Sequence, residues 1–170
     1  YLTSGVKLTF IDSREKEKQT YAFYFEGGLA SYIKYLTRGI APQHENIFYV
    51  KSEKEEIIVE AAVRYTEEFE GYEEGFANNI HNAEGGTHLT GFRSALTRTL
   101  NDYARKNNFL KNDDLLTGDD VREGMSAVVS IKVKDPQFEG QTKAKLGNPE
   151  VKSAVEAVIS EALTDFLERN

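Results

Sequence analysis

Residues 126–159 read SAVVSIKVKDPQFEGQTKAKLGNPEVKSAVEAVI, and they hold a strand, a loop and the start of a helix in that order. Ala127, Val128, Val129, Ser130 and Ile131 form a short apolar, β-branched run of the kind that makes strands. Asn148 suits a helix cap, and Pro149 suits the first helical position, where its missing N–H is no loss. Val151, Val155, Val158, Ile159, Ala162, Phe166 and Leu167 then recur at helical spacing and predict one buried face. Between strand and helix, FEGQTKAKLGN (138–148) places an amide, a hydroxyl and two lysines between Gly140 and Gly147. Loops of this composition lie on the surface. A polar tip held between two fixed elements is what calls for a chemical reason.

Working outward, residues 6–11 and 20–25 alternate as a pair of strands joined by a charged turn, a predicted hairpin. Gly27 and Gly28 break it, and Leu29, Ile33 and Leu36 then mark a helix ending at Gly39, which Pro42 keeps from continuing. Residues 47–50 make a short strand. Ile57, Val59, Ala61, Val63 and Tyr65 make a longer one, expected to pair with residues 72–78. Gly85 and Gly86 lead to Thr87, the expected cap of a second helix with Leu89, Phe92, Leu96, Leu100 and Tyr103 in its apolar stripe. Asn107 and Asn108 end that helix. A polar loop and a turn at Asp119 and Asp120 lead to the strand at 126–133. Strands, helix, strand, helix on one mixed sheet, without repeats, predict an α+β domain.

Composition bounds the function. A chain of 170 residues fits one domain, with or without a small appendage. The apolar fraction of 39% is enough for a packed core. There is no cysteine, which excludes disulfides, thiolate catalysis and Cys-ligated zinc, and suits a reducing cytosol. No apolar run reaches the ~18 residues of a membrane span, so no membrane is expected as a partner. The formal net charge of -7 argues against a general nucleic-acid-coating surface, so any contact with DNA needs a local basic patch. The chain opens on strand-like sequence at Tyr1 without a methionine and is expected to be a piece of a longer protein.

Several residues invite a chemical role. The ammonium of Lys143 is a compact charge on a long stem, suited to a terminal phosphate. Gln141 beside it can hydrogen-bond the same phosphate or an attacking water; a solvated loop explains both more cheaply. Thr87 and His88 open a helix whose N-terminal amides suit an anion, though a plain capped start explains them. Asp119, Asp120 and Glu123 suggest a magnesium site or, more simply, acids complementing a helix dipole. His44, His81 and His88 match no zinc spacing and no Ser-His-Asp arrangement. Arg93, Arg98, Arg105 and Lys106 make the helix that follows Thr87 locally basic. The last two sit in its final turn, where cations are expected. Arg93 lies beside the apolar stripe, so its side chain is expected to reach outward.

Longer strings add a resemblance. FANNI (76–80), EGGTHLTGFRSALTRTLNDYARK (84–106), TGDDVREGMSAVVSIKV (117–133) and DPQFEGQTKAKLGN (135–148) closely resemble the bacterial DNA gyrase B family, and the related topoisomerase IV ATPase subunits are similar. GVKLTFIDSR (5–14) and FYFEGGLASYIKYL (23–36) resemble that family's junction between its ATPase domain and the next. The resemblance implies that residues 1–26 end the GHKL ATPase domain, or form a junction hairpin, and that residues 27–170 are the transducer domain. It implies a left-handed βαβ crossover of the ribosomal-protein S-five domain-two type, a handedness that sequence patterning alone opposes.

The family's ATP-pocket motifs, which hold a catalytic Glu and a magnesium-binding Asn, do not occur in the chain. The resemblance therefore implies that ATP and magnesium are bound by the ATPase domain of the same subunit. Gln141, Thr142 and Lys143 would reach back into that site, with Lys143 on the γ-phosphate. The implied partners are that ATPase domain, a second copy of the subunit, the gyrase A subunit and double-stranded DNA, in the cytoplasm. Arg93 matches a family arginine that faces the DNA passage, and Arg98 extends the expectation along the same helix. A stand-alone module binding anions or nucleic acid is the alternative from another class.

Overall fold

The computed structural model describes residues 1–110 and 114–169. Residues 111–113, within the polar loop expected after the second helix, and residue 170 lie outside the described residues. Strands β1 (Lys7–Asp12) and β2 (Gln19–Tyr24) form the expected antiparallel hairpin. Helix α1 (Gly28–Leu36) follows. A five-stranded mixed sheet is then built from β3 (Phe48–Lys54), β4 (Ile57–Tyr65), β5 (Tyr72–Ala77), β6 (Ile80–His81) and β7 (Met125–Lys132), in the order β3-β4-β7-β5-β6. Helix α2 (Thr87–Lys106) and a single 3-10 turn (Asp120–Arg122) lie between β6 and β7. The chain ends with a small hairpin, β8 (Phe138–Glu139) and β9 (Lys145–Leu146), and helix α3 (Pro149–Arg169). This is an α+β fold with a mixed sheet, as expected.

The apolar run in β7 explains the layering. Ala127, Val129 and Ile131 join a core shared with Phe92 and Leu96 of α2 and Val155 and Ile159 of α3. Val128 points the other way, into a smaller core with Leu29 and Ile33 of α1, Ala62 of β4 and Phe76 of β5. A strand covered on both faces has no reason to alternate, hence the unbroken run. The domain is thus three-layered: α1, the sheet, then α2 packed along α3. Phe92 is fully buried at the centre of the larger core, where truncation to alanine typically costs about 3–5 kcal/mol.

Two expectations are corrected. Strand β4 pairs antiparallel with β3 and β7, and not with residues 72–78. Residues 72–77 form β5, which lies parallel to β7 on its far side. Strand β7 is buried along all but its last residue and takes the centre, which separates two strands adjacent in sequence. The side chain of Asn78 extends the β5–β7 ladder, its amide donating to the Val133 carbonyl at 2.8 Å and its oxygen accepting from the Val133 N–H at 2.9 Å.

The second correction concerns α2, which is capped by Gly86 rather than Thr87. Thr87 lies inside the first turn and its buried hydroxyl has no partner among the described residues. Gly86 has φ of 136°, and a Cβ on it would sit 2.3 Å from the Leu146 carbonyl oxygen. The close backbone approach between α2 and β9 leaves room for no side chain there. Gly86→Ala should destabilise the domain by roughly 2–4 kcal/mol through combined strain and overlap. Urea unfolding of the chain measures this, and unfolding at the wild-type midpoint would show that the approach is not needed.

His88, on the first turn of α2, is 0% exposed. Neither ring nitrogen has a hydrogen-bond partner among the described residues. The ring fits because β5 carries Gly75 beneath it, where a Cβ would lie 2.2 Å from Nε2. Burial pushes the imidazole down to about 4. Folding therefore selects the neutral ring, and an unfolded chain takes up its proton near the ordinary value of about 6.5. The stability tied to this site is whole above that pH and is lost as pH falls through about 4, by ~3 kcal/mol in all. Denaturant melts between pH 7 and 4 should show this loss, and His88→Leu should flatten it whatever its own stability. An equal slope in wild type and variant would place the loss elsewhere.

Candidate functional site

The loop between β7 and α3 is a hairpin with a rigid base. Phe138 pairs with Leu146 and Glu139 with Lys145. At the root, the Gly147 N–H donates to the Gln137 carbonyl at 2.7 Å. The fully buried Asn148 accepts from the Gln137 N–H at 2.6 Å and donates to the Asp135 carbonyl at 3.0 Å. Asn148 also donates to Glu150 at 2.7 Å, which holds that exposed carboxyl below the usual carboxylate range. One residue thus ties the loop's root to the start of α3.

The tip carries Gln141, Thr142 and Lys143, all exposed. Gly140 (φ 75°) and Lys143 (φ 54°) both take left-handed backbone conformations, and the Lys143 N–H closes the turn onto the Gly140 carbonyl at 3.3 Å. A lysine in that region costs about 1 kcal/mol or more, so its surroundings must hold it there. They do so through the segment that leads into α2. The Asn82 amide donates to the Lys143 carbonyl at 2.8 Å, the Glu84 N–H to the Ala144 carbonyl at 2.9 Å, and the Leu146 N–H to the Gly85 carbonyl at 3.0 Å. The hairpin is thereby fixed to α2 along one arm and to α3 at its root.

The Lys143 ammonium lies 5.7 Å from the centre of the Phe138 ring and makes no ion pair among the described residues. Its neighbour Lys145 pairs with Glu139 at 3.2 Å. Lys143 thus has a fixed backbone, while its exposed ammonium has no carboxylate partner among the described residues.

The two arginines on α2 do not share one site. Arg93 turns to β5, with Nε and Nη2 at 2.7 and 2.6 Å from the same Glu73 carboxylate oxygen. The Glu73 side chain is only 11% exposed, against 48% for Arg93. The outward reach expected of Arg93 is thus tempered by a partner that sequence patterning did not reveal, since Glu73 lies in another element. Arg93 and Glu73 line both a cavity of about 590 Å³ and a second of about 520 Å³ at the start of α2. Arg98 instead donates to the Ser160 hydroxyl on α3 at 2.9 Å.

Of the acids considered for magnesium, Asp120 accepts from the Thr117 N–H and hydroxyl, both at 2.7 Å, which lowers its pKa. Asp119 pairs with Arg122 at 2.6 Å. Both serve the turn before β7. Asn82 was missed as a candidate, and Asn148 was expected only as a helix cap. Asparagines in loops are common, and nothing in their spacing marks them as anchors.

The chain is similar to proteins of known identity. A family model described as DNA gyrase B matches residues 28–170. A DNA gyrase B of Bacillus mycoides is 52% identical over 171 residues, covering all of this chain and 42% of that protein. One from Thermotoga maritima is 46% identical over 177 residues, covering all of this chain and 28% of that protein. Among solved structures, the 43K ATPase domain of Thermus thermophilus gyrase B superposes with a TM-score of 0.89 at 40% identity, over all of this chain and 45% of that one. The topoisomerase IV ATP binding domain of Francisella tularensis gives 0.78 at 27% identity, over 96% of this chain and 44% of that one. The chain therefore spans less than half the length of these relatives. With a family model matched across all but its first 27 residues, the chain belongs to the DNA gyrase B family.

Proposed function

We propose that residues 27–170 are the transducer domain of an ATP-dependent type II DNA topoisomerase, and that the β8–β9 tip senses the γ-phosphate of ATP bound by another domain of the same subunit. The observation that carries this is the unpaired, left-handed Lys143, held at the tip of a hairpin fixed to two helices. Lys143 contacts the γ-phosphate, Gln141 the same phosphate or the attacking water, and Thr142 completes the contact. Magnesium comes with the nucleotide and is held by the ATPase domain. A contact made only when the terminal phosphate is present favours one of two domain arrangements, which is the requirement for shifting a population.

Residues 1–26 are the end of the ATPase domain or a junction hairpin beside it. Leu8 and Phe10 of β1 stand opposite Phe23 and Tyr21 of β2, and all four are exposed. A lone two-stranded hairpin with a bare apolar face is marginal in water, so a neighbouring domain covers it. The working enzyme pairs this subunit with a second copy and with the gyrase A subunit, acts on double-stranded DNA, and works in the cytoplasm. No helix among the described residues is long and apolar enough to cross a membrane. Topoisomerase IV is the second reading, kept because its ATP binding domain shares the fold at a TM-score of 0.78, and a supercoiling assay of the complete enzyme separates the two.

The chain alone should bind ATP negligibly, because an amide and a lysine do not replace a cavity that buries most of a nucleotide. Titration calorimetry at millimolar ATP tests this; saturable binding would refute the division of labour. In the complete subunit, Lys143→Ala should slow hydrolysis by roughly a hundred- to a thousand-fold, the usual effect of losing one charge-stabilising contact, with a much smaller loss of nucleotide affinity. Turnover within a few-fold of wild type would exclude the role.

Arg93 and Arg98 face DNA that passes through the enzyme, contacting phosphates without sequence preference. Because Glu73 would be left nearly buried without its partner, Arg93→Gln should cost about 1–2 kcal/mol of stability. Adding Glu73→Gln should restore the melting temperature while DNA-stimulated hydrolysis stays low, more so as salt rises. If stimulation recovers with stability, Arg93 is purely structural.

A further inference from the structure

The tip of the β8–β9 hairpin is tied to the start of α2 by three hydrogen bonds, and only one of them uses a side chain. That one joins the Asn82 amide to the carbonyl of Lys143 at 2.8 Å. The same residue is anchored twice through its backbone, donating to the Gly75 carbonyl of β5 at 2.8 Å and accepting from the Gly85 N–H at 2.8 Å. Asn82 therefore stands where the sheet, the α2 turn and the hairpin tip meet. It is 2% exposed, and its side-chain oxygen has no partner among the described residues. A buried amide whose oxygen has no partner among the described residues is a costly way to fill space, and an aliphatic residue of similar size would do that better. The donor is what the position requires.

We infer that Asn82 is the positioning residue for Lys143: its amide holds the Lys143 carbonyl, fixes that residue in its left-handed conformation, and so sets where the ammonium meets a terminal phosphate. The role rests on the phosphate-sensing function proposed for the loop. It assigns to a residue on the far side of the hairpin the task of pre-organising the sensor. Without the bond, Lys143 relaxes toward the ordinary backbone regions, and its ammonium moves away from the place the phosphate will occupy. Displacements of about 1 Å in such contacts cost up to ~100-fold in rate.

The test uses the complete subunit and four variants: Asn82→Leu, Asn82→Gln, Lys143→Ala, and Asn82→Leu with Lys143→Ala. Hydrolysis is measured along with the affinities of ADP and a non-hydrolysable ATP analogue. Asn82→Leu should lower kcat roughly ten- to a hundred-fold. It should weaken the triphosphate analogue more than ADP, a split that a merely structural role does not produce. Asn82→Gln, which keeps the donor, should recover most of the activity. The double variant should be no slower than Lys143→Ala alone, because the two residues act as one. If Lys143→Ala leaves hydrolysis unchanged, phosphate sensing by the loop is refuted and the Asn82 role with it. If Lys143→Ala is impaired while Asn82→Leu is not, or if the two losses add, only the positioning role is overturned. Should Asn82→Leu lose its melting transition, Asn82→Ala takes its place, and unfolding of both makes Asn82 a structural residue and overturns the inference.

Discussion

Strand β7 is covered on both faces, and the rest of the domain is arranged to keep it so. Its alternate side chains feed two separate cores, one under α2 and α3 and one under α1. A fully buried strand needs partners on both edges as well, or its backbone polar groups go unmet. Strand β4 supplies one edge antiparallel and β5 the other in parallel. The parallel pairing demands a long crossover, and α2 is that crossover. The helix that carries Arg93 and the turn that anchors the hairpin tip follow from the burial of a single strand.

How much of this could be read in the sequence depends on the range of the interaction. The α2 stripe through Phe92 and Leu96, the α3 face through Val155 and Ile159, and the first hairpin are periodic and local, and they stand where the pattern put them. The pairing of β4 did not, because alternation says which face a strand buries and nothing about which neighbour it takes. Thr87 looked like a cap because the residue type and its place before an apolar run agree with one. Gly86 took that role because a non-local neighbour, Leu146, left room for nothing larger.

The candidate loop was legible in a different way. Gln141, Thr142 and Lys143 stood out through their resemblance to a family, while their composition alone described an ordinary polar loop. What sets the loop apart in the structure is the pairing of a conformationally costly lysine with anchors at Asn82 and Asn148. Both anchors act through hydrogen bonds to backbone carbonyls and N–H groups, which leave no trace in side-chain patterning. The Arg93–Glu73 pair is hidden for the same reason of distance along the chain.

Asn148 has a mechanical consequence. It is the joint between the hairpin root and α3, a helix of 21 residues and therefore about 30 Å long at 1.5 Å per residue. A tilt of about 10° at that joint sweeps the Arg169 end through about 5 Å, close to one helical turn. Because α3 lies packed along α2 and accepts a hydrogen bond from Arg98 at Ser160, any such tilt would have to carry both helices together. The hairpin root sits at that joint, so the lever geometry would magnify a small displacement of the loop at the far end of α3.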